Sequence, residues 1–106
     1  MATLLPKDRP KWQSMKRAHS VYKSQKLIRI MLEYDETDNT IISITIAGDF
    51  FLYPEEALET LEADLIGTKL ERDALKKKID YGLKDSEAYG FDSAALTQAI
   101  LDCRTD

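Results

Sequence analysis

A chain of 106 residues, 43% apolar and 32% charged, with a formal net charge of −4, has room for one modest hydrophobic core and too much apolar content for wholesale disorder. No apolar run approaches the roughly 20 residues of a membrane span, and the N-terminus has no signal-peptide core, so the expected home is the cytoplasm and a membrane is not an expected partner. Cys103 is the only cysteine, which excludes an internal disulfide and a thiolate metal cluster.

The charge is unevenly spread. Residues 1–29 carry eight Lys/Arg against Asp8 alone, or +7, whereas residues 30–106 carry seven basic against eighteen acidic side chains, or −11. A basic arm on an acidic body fits contact with a polyanion or docking onto an acidic protein surface. Nucleic acid is the less favoured partner, because the sequence holds no recognisable nucleic-acid module and the remainder is acidic.

In chain order, residues 1–21 read as a basic N-terminal arm, with Pro6, Pro10 and scattered charge and with Leu4, Leu5, Trp12 and Met15 as its large apolar anchors. Trp12 is placed to pin the arm to a surface. Residues 26–34 alternate as a strand, with Ile28, Ile30, Leu32 and Tyr34 on one face and Arg29 and Glu33 on the other. A polar loop, Asp35 to Asn39, is short enough to join antiparallel neighbours. Residues 40–47 form the second strand, with Ile42, Ile44 and Ile46 inward and Ser43 and Thr45 outward, and a short third strand is expected over residues 50–52.

Gly48 then permits a bend that a Cβ would penalise. Pro54 suits the first turn of a helix, and Glu55 and Glu56 complement its positive end. Leu58, Leu61 and Leu65 recur at helical spacing up to Gly67, a C-terminal stop. Thr68 and Glu71 have capping-box spacing for a second helix through about Tyr81, with Leu70, Ala74, Leu75 and Ile79 on one side and Lys76, Lys77 and Lys78 on the solvated face. Gly82 and Gly90 bracket a looser connection. Asp92 caps a third helix, with Phe91 and Leu96 at staple positions and Ala95, Ala99, Ile100 and Cys103 along its stripe. The expected fold class is α+β, a small antiparallel sheet covered on one face by about three helices. Cys103 fits a buried or half-buried small side chain better than a reactive thiol.

No catalytic or metal site is expected. His19 is the single histidine and its neighbour Ser20 makes no triad. Asp35, Glu36 and Asp38 lack the Gly and closing Glu of an EF-hand. The four glycines, Gly48, Gly67, Gly82 and Gly90, are isolated, so there is no phosphate loop.

The segments KLIRIMLEYD and IISITIAGDFFLYPEEALETLEADLIGT carry a specific combination. A strand enters Ile46-Ala47-Gly48-Asp49-Phe50-Phe51, a Pro54-Glu55-Glu56 helix start follows, and a leucine-spaced helix closes on Leu65-Ile66-Gly67. This resembles the small accessory domain of lipoate–protein ligases, over residues 22–106 apart from the last few. The family's Lys-x-Pro-Gly-Gly-Lys-Leu pattern before the first strand is replaced here by Tyr22-Lys23-Ser24-Gln25-Lys26-Leu27. The resemblance implies a non-catalytic small subunit of a two-component ligase, with the large catalytic subunit as partner and lipoyl-domain proteins as indirect partners. ATP, Mg and lipoate are then expected on the large subunit and none on this chain. The accessory part is implied in activating lipoate to lipoyl-AMP more than in its transfer to an acceptor lysine. The competing reading is a protein-interaction or regulatory module of the same fold without a ligase role.

Partner-binding candidates are Gly48, Asp49, Phe50, Phe51, Lys26 and Arg29. One phenylalanine ring is expected to fill the local core and the other to face the partner. Asp49 fits a cap on the turn's backbone N–H groups better than a ligand contact. Lys23, Lys26 and Arg29 are either solvated strand charges or an electrostatic match to an acidic partner.

Overall fold

In the computed structural model, residues 14–23 and 25–105 are described. Residues 1–13, with Trp12 and most of the expected arm, and Ser24 lie outside them. The elements run β1 (Met15–Lys23), β2 (Leu27–Asp35), β3 (Thr40–Gly48), β4 (Phe51–Tyr53), α1 (Glu56–Leu65), α2 (Arg72–Leu83), β5 (Glu87–Tyr89), α3 (Ser93–Leu101) and β6 (Arg104–Thr105). Strands β3-β2-β1-β6 make an antiparallel sheet in that order, and β4 pairs with β5 in a separate two-stranded ribbon. Among the described residues the architecture is α+β, with three helices, α1 to α3, on one face of the sheet.

That face is set by period-two burial. Ile28, Ile30 and Leu32 of β2, Ile44 and Ile46 of β3 and Ala18 of β1 are buried in one core with Leu61 and Leu65 of α1, Leu75 and Ile79 of α2, and Leu96, Ala99 and Ile100 of α3. Burying each such leucine or isoleucine contributes about 1.5–3 kcal/mol. The opposite face carries Arg17, His19, Val21, Arg29, Met31 and Thr45, all exposed. Glu33 ties its first row together, accepting from Arg17 Nε at 3.1 Å and from Ser43 Oγ at 2.9 Å.

Several elements depart from the sequence reading. Residues 15–21, assigned to the arm, belong to β1, which pairs with β2 from Met15–Asp35 to Lys23–Leu27. Its inward positions are small, Ala18 and Ser20, and Ser20 Oγ donates to the Ala99 carbonyl of α3 at 2.6 Å. A strand that buries small side chains gives a weak hydrophobic signal. In β3 the inward residue is Ile41, 1% exposed, and Ile42 is only half-buried. The cause is a bulge: Glu33 faces Ser43 but Tyr34 faces Ile41, so Ile42 is the extra residue that shifts the phase.

Pro54 precedes the helix, with Glu55 as N-cap of α1. Thr68 does not cap α2. Ile41 N–H donates to the Thr68 carbonyl at 2.9 Å and Gly67 N–H to the Ile41 carbonyl at 2.7 Å, so residues 67–70 lie along the edge of β3. The helix starts after Glu71, whose side chain makes no capping bond. Gly67 follows the C-cap of α1 with φ +85, as a helix stop requires. The Gly82–Gly90 connection contains β5. Asp92 caps α3 as expected, its Oδ1 accepting from Ala95 N–H at 2.8 Å, but α3 ends at Leu101 and Cys103 lies beyond it, half-buried.

Farther along β3, the Ile46 N–H donates to Glu62 Oε2 of α1 at 2.7 Å. Among the described residues no helix is long and apolar enough to cross a membrane, and no group of His, Cys, Asp and Glu could hold a metal ion.

Candidate partner-docking turn

The site is built where β3 leaves the sheet. Gly48 pairs with Ile28, and its backbone runs so close to β2 that a Cβ would meet the Leu27 carbonyl carbon at 3.0 Å and its oxygen closer still. Its φ of +154 adds a second penalty for any side chain. Asp49 N–H then donates to the same Leu27 carbonyl at 3.0 Å. The chain is thereby turned off the sheet with its direction fixed by one acceptor.

The two rings that follow part company. Phe50 is half-buried and meets Phe91 edge-on, 4.7 Å between centroids and 64° between planes. Phe91 is buried immediately before the α3 cap, so Phe50 anchors the turn to the helical layer. Phe51 is 53% exposed. It stands across the ribbon from Tyr89, with ring centroids 6.2 Å apart. Leu52 points inward and is buried, and Tyr53 returns to the outer face. Phe51, Tyr53 and Tyr89 thus form an outward aromatic plate held by the burial of Leu52 and Phe50. Aromatic plates with a polar handle are the kind of surface that anchors protein interfaces. The Tyr89 hydroxyl donates to Glu87 Oε2 at 2.6 Å, and that carboxylate holds the phenol's pKa above its ordinary value.

Lys26 joins this end of the molecule. Its N–H donates to the Gly90 carbonyl at 3.2 Å, and its stem covers Gly90, where a Cβ would lie 2.7 Å from Lys26 Cγ. With φ +94, position 90 is doubly restricted to glycine. Arg29 is placed differently, on the open sheet face between Val21 and Ala47. Five of the six sequence candidates therefore gather at the turn and Arg29 does not. Asp49 contributes its N–H to the turn, but among the described residues its carboxylate accepts no hydrogen bond, so the capping role expected of it is not made. Tyr53 and Tyr89 were missed from the sequence. Tyr53 was available from the period-two relation to Phe51, but Tyr89 comes into view only once β5 pairs with β4.

The open sheet face holds a shallow hollow of about 390 Å³, lined by Arg17, His19, Met31, Glu33, Ser43 and Thr45 among others. Arg17 and Ser43 meet Glu33 across the strands there.

A family model for the bacterial lipoate protein ligase C-terminus matches residues 24–102. Lipoate-protein ligase A subunit 2 of Thermoplasma acidophilum is 42% identical over 52 residues, 48% of this chain and 53% of that protein, so the chain spans about half the length of the curated relative it matches. A chain from the solved structure of an archaeal lipoylation system, a bi-partite lipoate protein ligase and its E2 lipoyl domain from Thermoplasma acidophilum, superposes with a TM-score of 0.72 at 27% identity, covering 81% of this chain and 96% of that one.

Proposed function

The chain belongs to the bacterial lipoate protein ligase C-terminus family, and from that premise we propose that it is the non-catalytic small subunit of a two-component lipoate–protein ligase. The observation that carries the proposal is the fold match over 96% of a chain from a bi-partite ligase. Its partner is a large catalytic subunit that holds lipoate, ATP and Mg in the cytoplasm. Lipoyl-domain proteins, whose lysine receives the lipoyl group, are indirect partners.

In this proposal the large subunit joins the lipoate carboxylate to the α-phosphate of ATP, forming lipoyl-AMP and releasing pyrophosphate. The small subunit docks beside that pocket and stabilises a closed, water-excluding arrangement. Phe51, Tyr53 and Tyr89 supply the contact, Phe50 and Gly48 hold the plate in position, and Lys26 adds charge at its border. Arg29 serves a neighbouring part of the interface from the open sheet face.

Mixing the chain with its large subunit and measuring lipoate-dependent pyrophosphate release tests the proposal. Release well above that of the large subunit alone is expected. Unchanged release, with the two chains failing to co-purify, assigns the fold to an interaction module outside the ligase.

A further inference from the structure

On the side away from the helices the sheet is a grid whose outward positions follow from the register. Arg17 and Glu33 share one row, His19 and Met31 the next, Val21 and Arg29 the third, and Lys23 and Leu27 the last. Two adjoining hollows, of about 390 Å³ and about 250 Å³, follow these rows and share His19, Met31 and Thr45. Met31 is 61% and Val21 64% exposed, so among the described residues nothing covers the centre of the face. Set diagonally to one another and bordered by charge, these two side chains fit an interaction surface better than scattered apolar exposure.

The charge of the face is one-sided. Glu33 is the one carboxylate in these rows, and it already accepts from Arg17 Nε and Ser43 Oγ. Among the described residues Lys23 and Arg29 form no ion pair, which leaves two spare cations on a chain whose formal net charge is −4. That imbalance selects the occupant. A second copy set face to face would oppose arginine to arginine. Residues 1–13 carry Lys7, Arg9 and Lys11 against Asp8, the same sign as the face. An acidic protein surface is the complement.

Size indicates which protein carries it. Phe51, Tyr53 and Tyr89 are each a little over half exposed, so at about 200 Å² per fully buried ring their plate offers roughly 300 Å². A stable complex needs about 800 Å² per partner. The last row of the open face runs into the turn that holds the plate: Asp49 N–H is bonded to the Leu27 carbonyl, and Lys26 N–H to the carbonyl of Gly90, next to Tyr89. Phe51 and Tyr53 point away from the core that Leu52 enters. Given the small-subunit reading of the chain, on which this rests, we propose that contact with the large subunit continues from the plate onto the open sheet face. There the partner presents an apolar side chain to the Val21–Met31 hollow and carboxylates to Arg29 and Lys23.

The test is calorimetric titration of the full chain into the large subunit at low and at high salt. The parent's affinity should fall as salt rises. Arg29→Glu should weaken binding by about tenfold or more at low salt and flatten the salt dependence, and Met31→Ala should weaken it by about threefold to tenfold at either salt. Lys77→Glu, the same charge reversal on the helical side, should change neither. All three positions are exposed, so thermal unfolding should stay close to the parent's. Parent-like affinity and salt slope in Arg29→Glu and Met31→Ala, with Phe51→Ala still weakened, overturn the extension and leave the small-subunit reading standing. Absence of binding by the parent chain overturns both. Spectra of the labelled free chain address the other occupants. Amide shifts at Val21, Arg29 and Met31 that move with chain concentration assign the face to a second copy, and shifts there that move in Trp12→Ala assign it to residues 1–13; either result overturns the proposal.

Discussion

The backbone of Gly48 lies against the Leu27 carbonyl so tightly that residue 48 has no room for a Cβ, and the following N–H, of Asp49, bonds to that same carbonyl. One acceptor on β2 thus fixes both the departure of β3 and the placement of the phenylalanines. Gly48→Ala should cost about 3 kcal/mol or more, since backbone overlap adds to a strained φ worth about 1–3 kcal/mol. Gly67→Ala, with φ +85 but open space around it, should cost only about 1–2 kcal/mol by φ strain. Urea unfolding of both variants reads the difference, and equal losses would contradict the close approach.

The two phenylalanines should separate stability from association. Phe50→Ala removes an edge-on partner of Phe91 and should destabilise by about 2–4 kcal/mol. Phe51→Ala removes a ring that is 53% exposed and touches only the rim of the ribbon at Tyr89, and should cost no more than about 1 kcal/mol. It should instead weaken association with the large subunit by tenfold or more, as loss of an interface anchor does. Calorimetric titration against that subunit, beside thermal unfolding of the free chain, measures both. Unaltered affinity in Phe51→Ala would place the interface elsewhere.

The bulge in β3 makes adjacent isoleucines unequal. Ile41→Ala should cost about 2–5 kcal/mol, because Ile41 is 1% exposed within the core. Ile42→Ala should cost well under half as much, since its side chain is only half-buried. Denaturant midpoints decide between this phase and the unbulged one, which would reverse the order.

Cys103 should be a slow nucleophile. Burial pushes its thiol pKa up and the Asp102 carboxylate adds to this, while the Ser20 hydroxyl offsets part of the rise. A raised pKa leaves less thiolate at pH 8, and only thiolate reacts. Alkylation by iodoacetamide should therefore be slower than for a free cysteine peptide, with its pH midpoint displaced upward. Because the folded state favours the neutral thiol, that contribution to stability holds below the unfolded pKa and is lost as pH rises through the folded one.

Legibility in the sequence followed the strength of the hydrophobic period. Strand β2 and the Leu61–Leu65 and Asp92-capped helices were readable because large aliphatic residues repeat at the spacing that each element buries. Strand β1 was not, because its inward face is Ala18 and Ser20 and it is held by pairing with β2 and β6 and by the Ser20 bond to Ala99, which no local pattern records. The Ile42 error came from assuming an unbroken alternation where the structure inserts a bulge. Thr68 had the right spacing for a cap, but residues 67–70 are tied to the edge of β3, so the helix begins only after Glu71. The site divides in the same way: Gly48, Phe50 and Phe51 are local, whereas Tyr89 and the Gly90–Lys26 contact need tertiary pairing.

The Glu62 carboxylate on the Ile46 N–H has a consequence for how this molecule can be joined to another. Together with the segment at residues 67–70, it occupies hydrogen-bonding groups along the outer margin of β3, which would otherwise be a template for a foreign strand. Growth of the sheet by annexing a partner's backbone is blocked on that side. Whatever the chain recognises from there must be read through side chains, and the choice of partner rests on shape and charge, with little left to generic strand addition.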